Sequence, residues 1–209
     1  MMDLTNRQWL KYAVMHPFEG FEDMRWKKAG SIRYSIVIVL LWFVAAVFYN
    51  RLYGFQFYAS PDKLFNVIPY IVRTIVLFLT WVVGNWAVCT LLEGEGTMRN
   101  IFIYSAYALV PYVASLFIGV LLSHVLIRDE AVFIDTVYIL GLGWSAVLVF
   151  SAIRAVHQYS FLKTIGAIIL TIAAMLIMLF LLVLLLSLLQ QVYVFVYSIY
   201  TELAYRVKV

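Results

Sequence analysis

Cysteine and charge are both scarce in this sequence: one cysteine, Cys89, and Asp, Glu, Lys and Arg at only 12% of 209 residues. A single cysteine set in an apolar run excludes a disulfide framework and a cysteine metal cluster. The low charge excludes an ordinary soluble domain, in which about a quarter of residues are charged. Also absent are the phosphate loop G-x-x-x-x-G-K, the nucleophile elbow G-x-S-x-G and the paired histidines of H-E-x-x-H. The loops between apolar runs are too short to fold a catalytic domain, so an enzyme is not expected, and nothing recommends a cofactor or a metal. An apolar h-region near the start is missing, and the prefix is therefore expected to stay on the mature chain rather than to be removed as a secretory signal.

What is present is oil: 65% of residues are hydrophobic and 17% aromatic. A bilayer's hydrocarbon core takes about 20 helical residues. Cutting the chain at charges and turn residues gives spans at about 34–51, 69–92, 100–127, 132–153 and 164–189, the last helix continuing to about 200 with Tyr193, Tyr197 and Tyr200 on one face. The expected architecture is all-α: a five-helix transmembrane bundle over 34–209 behind a short amphipathic segment, 1–33. Lys and Arg set the orientation. The prefix and the loops near 93–99 and 154–163 carry nine, against five on the other side, so the N-terminus is expected in the cytoplasm and the C-terminus outside, in a prokaryotic inner membrane.

The prefix holds ten of the chain's charges. Thr5 and Gln8 form a capping-box pattern, and Trp9, Leu10, Ala13 and Val14 fall on one face of the helix it starts, which Pro17 ends. In "HPFEGFEDM", His16, Pro17, Phe18, Glu19, Phe21, Glu22 and Asp23 are candidates for a cytoplasmic docking surface, because aromatics and acids exceed what anchoring requires. Arg25, Lys27, Lys28 and Arg33, immediately before the first span, read as lipid-headgroup contacts worth about 1 kcal/mol per charge. Headgroups account for this basic, aromatic surface, and no nucleic acid is expected.

Ionisable groups inside a span are costly and so are candidates for function. Arg73, His124 and Asp135 each stand about one turn inside a span end, all on the outer side, and form a candidate polar node for an anionic group or a proton. Snorkelling to the interface is the structural alternative. Gly84 with Asn85, and Gly141 with Ser145, are candidate helix-packing positions: small residues admit a neighbour and Asn bonds across helices.

In the third span "YSAYALVPY" places Tyr107 and Pro111 four positions apart, with Ala106 before the tyrosine. Pro111 removes the hydrogen bond to the Tyr107 carbonyl, and a kink is expected there. The pattern resembles the Gly-Tyr-x-x-x-Pro signature of the Yip family, the Ypt/Rab-interacting membrane proteins, with Ala106 in the glycine position. The Asp-Leu-Tyr-Gly-Pro stretch of that family is replaced by "HPFEGFEDM". The resemblance, extending from about His16 to the C-terminus, implies five spans and a cytoplasmic N-terminus, in a compact prokaryotic form without the long cytosolic arm. For eukaryotic members it implies Rab binding and roles in vesicle traffic, which do not carry over to a prokaryotic relative. Membrane lipids, and other membrane proteins or a second copy, are the expected partners. The leading expectation is a non-enzymatic scaffold or trafficking and transport accessory that docks through its prefix. The alternative is a transporter, channel or lipid-translocating protein built on the Arg73, His124 and Asp135 node.

Overall fold

A computed structural model describes residues 4–57 and 66–207. Lys63 and Lys208, counted in the charge asymmetry, lie outside the described residues. Two short helices, α1 (Asn6–Met15) and α2 (Pro17–Trp26), precede α3 (Ile32–Arg51). The second crossing, Ile68–Leu91, consists of α4 (Ile68–Ile71), a π-helical turn (Val72–Val76) and α5 (Leu77–Leu91). The third is broken into α6 (Met98–Ala108) and α7 (Val110–Val125); after a 3-10 turn come α8 (Ala131–His157) and α9 (Phe161–Val207). Among the described residues five helices are long and apolar enough to cross a membrane, as the hydropathy pattern requires, and the all-helical bundle is the fold expected from sequence.

The fourth crossing is the centre of the bundle. Helices α2, α6 and α7 pack on α8, α3 covers α6 and α7, and α5 lies between α6 and α9. The prefix belongs to this core. Trp9, Ala13, Phe21 and Met24 are buried in one cluster with Tyr104, Tyr107, Leu148 and Ala152. Sequence pattern anticipated one prefix helix; there are two, because Pro17 both ends α1 and occupies the first turn of α2, where its missing N–H costs nothing. At their crossing, a Cβ on Gly20 would lie 2.7 Å from the Ala13 Cα, so only glycine lets the two helices fold onto each other this closely.

Pro111 does more than kink its helix. Helix α6 ends at Ala108, the Leu109 N–H turns back to the Ala106 carbonyl at 3.1 Å, and α7 starts at Val110. The Tyr112 N–H leaves the ladder and donates to the Ser145 hydroxyl of α8 at 3.0 Å. One turn before Ser145, Gly141 lies against Ser115 and the Pro111 carbonyl. A membrane offers the freed amide no water, so the neighbouring hydroxyl is what makes the break tolerable. Ser145→Ala is expected to cost about 1–2 kcal/mol in equilibrium unfolding from mixed micelles, the cost of one buried N–H left unmade.

The fifth crossing continues past the apolar span, as expected, and runs a little beyond the expected end at about 200: α9 is one helix of 47 residues, since neither Gly nor Pro follows Gly166. Thr164, Ala167 and Thr171 are buried, whereas every residue from Phe180 to Tyr200 is exposed.

Candidate functional site

Two places collect the polar residues, one at the prefix end of the bundle and one at the far end. At the prefix end, Arg25 is the fastening. Its Nη1 donates to the carbonyls of Ala155 and Val156, both at 2.8 Å, and its Nη2 pairs with the Glu95 carboxylate. A guanidinium at a helix C-terminus meets the orphan carbonyls and the negative end of the dipole together. The headgroup role expected for Arg25 is therefore corrected: its side chain is only 18% exposed and turns into the bundle. Lys27, Lys28 and Arg33 stay exposed, with the Lys27 ammonium 5.4 Å from the centre of the Trp9 ring.

Phe21 is the second correction. Expected on a docking surface, it is fully buried and packs on Tyr104 with ring centroids 5.7 Å apart. Its i+3 neighbour Met24 is buried as well, because the Phe21, Met24 and Arg25 face of α2 is the one laid on the bundle. The opposite face carries His16, Phe18, Glu19, Glu22 and Asp23, all exposed. Phe18 is 51% and Trp26 75% exposed, and Met15 at the end of α1 is exposed as well. Asp23 is held from behind by the Tyr12 hydroxyl at 3.1 Å; burial, then Asp23 itself, pushes the Tyr12 phenol upward. Pro17 is half-buried at the corner.

Beneath the hairpin a chain of polar contacts ties three crossings together. His157 Nε2 meets the Asn85 Oδ1 at 3.0 Å, and the Asn85 Nδ2 donates to the Thr171 hydroxyl at 3.1 Å. With Asn85 Oδ1 an acceptor, Nε2 is the protonated nitrogen of that ring. Gly84, next to Asn85, faces Met175 of α9. The Tyr159 hydroxyl donates to the Cys89 carbonyl at 3.1 Å, and burial raises its phenol pKa.

At the far end Arg73 and Asp135 open onto one partly open cavity of about 440 Å³. Its walls are Trp42, Tyr49 and Asn50 of α3, Arg73 and Thr74 of the π turn, Tyr112 of α7, and Asp135 and Tyr138 of α8. The Thr74 hydroxyl donates to the Tyr70 carbonyl at 2.7 Å, a side-chain competitor for the backbone ladder at the place where the helix widens. Among the described residues no ion pair of 4.0 Å or less joins Arg73 to Asp135. His124, expected beside them, is not in the cavity wall. Its Nδ1 lies 2.8 Å from the Val120 carbonyl of its own helix, and its side chain is exposed elsewhere. Arg73 and Asp135 face the same space from their helices, and His124 faces away from it.

The Tyr107 of the sequence signature has a defined task. Fully buried, its hydroxyl accepts the Ser31 backbone N–H at 3.1 Å, fixing the start of α3 where the prefix ends. Ala106 beside it is also fully buried. A model of the Yip1 domain matches residues 11–185. The chain belongs to the Yip1 family.

It is an integral membrane protein of that family. Comparison with curated proteins and with solved structures gives no match. The Yip1 match starts inside α1 and so takes in the hairpin; it stops within α9, in the exposed part of that helix. Three structural features of this Yip1 domain have no counterpart in the sequence reading: the Arg25 cap, the Tyr107 hydroxyl bond and the Trp42 wall of the far cavity. Only the second left a signal, since a tyrosine deep in a span needs a polar partner.

Proposed function

We propose that this Yip1-family protein is a non-enzymatic scaffold or accessory of other membrane components, and that the outer face of its hairpin, on the cytoplasmic side, is where a partner docks. The reading is carried by one observation: the hairpin is fixed to the bundle by Phe21, Met24 and Arg25 while Phe18, Glu19, Glu22 and Trp26 face outward. A pre-ordered surface loses little entropy on binding. Exposed aromatics ringed by carboxylates suit a partner with an apolar pocket edged by Lys or Arg, and aromatic anchors of this kind dominate interface energetics. The cytoplasmic placement rests on the Lys and Arg asymmetry.

The test compares the intact chain with the F18S/E19Q/E22Q variant, cross-linked in native membranes and identified by mass spectrometry. None of the three side chains is buried, so the thermal midpoint in detergent is expected to be unchanged. Cross-links from the hairpin to a given membrane protein should fall about tenfold or more, the equivalent of one hot-spot contact. An unaltered cross-linking pattern in a stably folded variant would remove the docking role.

A further inference from the structure

The far cavity has a neighbour. An apolar recess of about 230 Å³ lies beside it and shares the Trp42 side chain as a wall; Leu77, Phe78, Leu109, Val149 and Met175 complete it. Trp81 and Ser105 also line it, and their polar groups satisfy each other, the Trp81 indole N–H donating to the Ser105 hydroxyl at 3.1 Å. A recess so lined is suited to hydrocarbon rather than water. The two spaces therefore differ in chemistry as the two ends of an amphiphile do.

The charges specify the polar end. Arg73 and Asp135 share the cavity without closing on each other. An isolated anion would meet the Asp135 carboxylate and an isolated cation the Arg73 guanidinium, whereas one group bearing both charges satisfies each. Tyr49, Tyr112 and Tyr138 add ring faces, Tyr112 and Tyr138 having centroids 5.8 Å apart, and such faces attract an ammonium. Arg73 and Asp135 both stand in the first third of their crossings, Ile68–Leu91 and Arg128–His157, away from the middle of the apolar run, where a charge costs most.

We propose that the far cavity and its apolar recess bind one zwitterionic phospholipid: phosphate on Arg73, ammonium against Asp135 and the tyrosine rings, and an acyl chain past Trp42 into the recess. This site is at the opposite end of the bundle from the hairpin and is independent of the docking role.

The experiment uses the full chain exchanged into phosphatidylglycerol nanodiscs and then offered phosphatidylethanolamine, phosphatidylcholine or further phosphatidylglycerol with identical acyl chains. Native mass spectrometry counts what each protein retains. One ethanolamine or choline lipid per chain should be held about tenfold or more over phosphatidylglycerol, and R73Q and D135N should each abolish that preference. Equal retention of phosphatidylglycerol by the unaltered chain would overturn the proposal without recourse to any variant. So would a preference that survives both substitutions. Free phosphoethanolamine at matched concentration should fail to displace the lipid; if it displaces it, the recess contributes nothing and the ligand is a soluble headgroup instead.

Discussion

Gly141→Ala is expected to unfold this protein more readily than any other single methyl addition in α8, by about 3 kcal/mol. The added Cβ would sit 2.3 Å from the Ser115 Oγ and 3.0 Å from the Pro111 carbonyl. The first neighbour belongs to a short side chain and the second to backbone, so neither has a flexible end that can swing away. Relief requires α7 to move off α8, and that movement also pulls the Tyr112 N–H from Ser145. Two residues on, Gly143 has nothing within 4 Å of its own would-be Cβ. Gly143→Ala is expected to be neutral or stabilising by up to about 1 kcal/mol, through helix propensity alone. Equilibrium unfolding of the pair in mixed detergent isolates the packing effect, because both changes add the same atom to the same helix. Equal midpoints for the two variants would show that α7 and α8 are not in the contact described.

The second large effect is expected from Arg25→Ala, at about 2–3 kcal/mol. Three hydrogen-bonded contacts depend on the guanidinium, but they are not equal. Glu95 is 67% exposed, and an ion pair so open to water contributes about 1 kcal/mol or less. The Ala155 and Val156 carbonyls are part-buried at the end of α8, and their loss carries most of the cost. Glu95→Gln should therefore be mild while Arg25→Ala is severe. Arg25→Lys should rescue poorly, as a single ammonium cannot reproduce a planar fork that reaches two carbonyls and a carboxylate. Hydrogen exchange gives the deciding readout: in Arg25→Ala the amides of 6–26 should exchange faster while those of α7 keep their protection. Protection unchanged in the hairpin would mean that Phe21 and Met24 alone hold it down.

How much of this was readable beforehand follows from what each residue's role depends on. The spans were legible because hydrocarbon thickness sets run length, and Leu-rich stretches such as that of α9 have no competing reading. The Gly141 and Ser145 spacing pointed to a packing face since i and i+4 share one side of a helix. For Arg73, His124 and Asp135 the sequence offers only a place along each span and not the azimuth; Arg73 and Asp135 line one cavity and His124 turns away. Pro17 read as a stop because proline cannot continue a helix, and no local pattern shows that a second helix starts there, held by the Ala13–Gly20 crossing and by Phe21, Met24 and Arg25 on the bundle. Arg25 misled because basic residues ahead of a first span usually face headgroups, and no local pattern reveals a helix terminus 130 residues away. The Tyr107 signature located the family, while the partner of its hydroxyl, Ser31, lies in a segment that looks like a plain linker.

The free half of α9 makes the surrounding lipid part of the protein's geometry. A helix of 47 residues is about 70 Å long, and the hydrocarbon it crosses is about 30 Å thick. Neighbours grip it only as far as about Leu179. The remaining turns continue the axis of the packed part with no Gly or Pro at which to bend, so the bundle sets their direction. In a membrane that does not match its length, the free half therefore transmits the mismatch to the bundle, and the two tilt as one body.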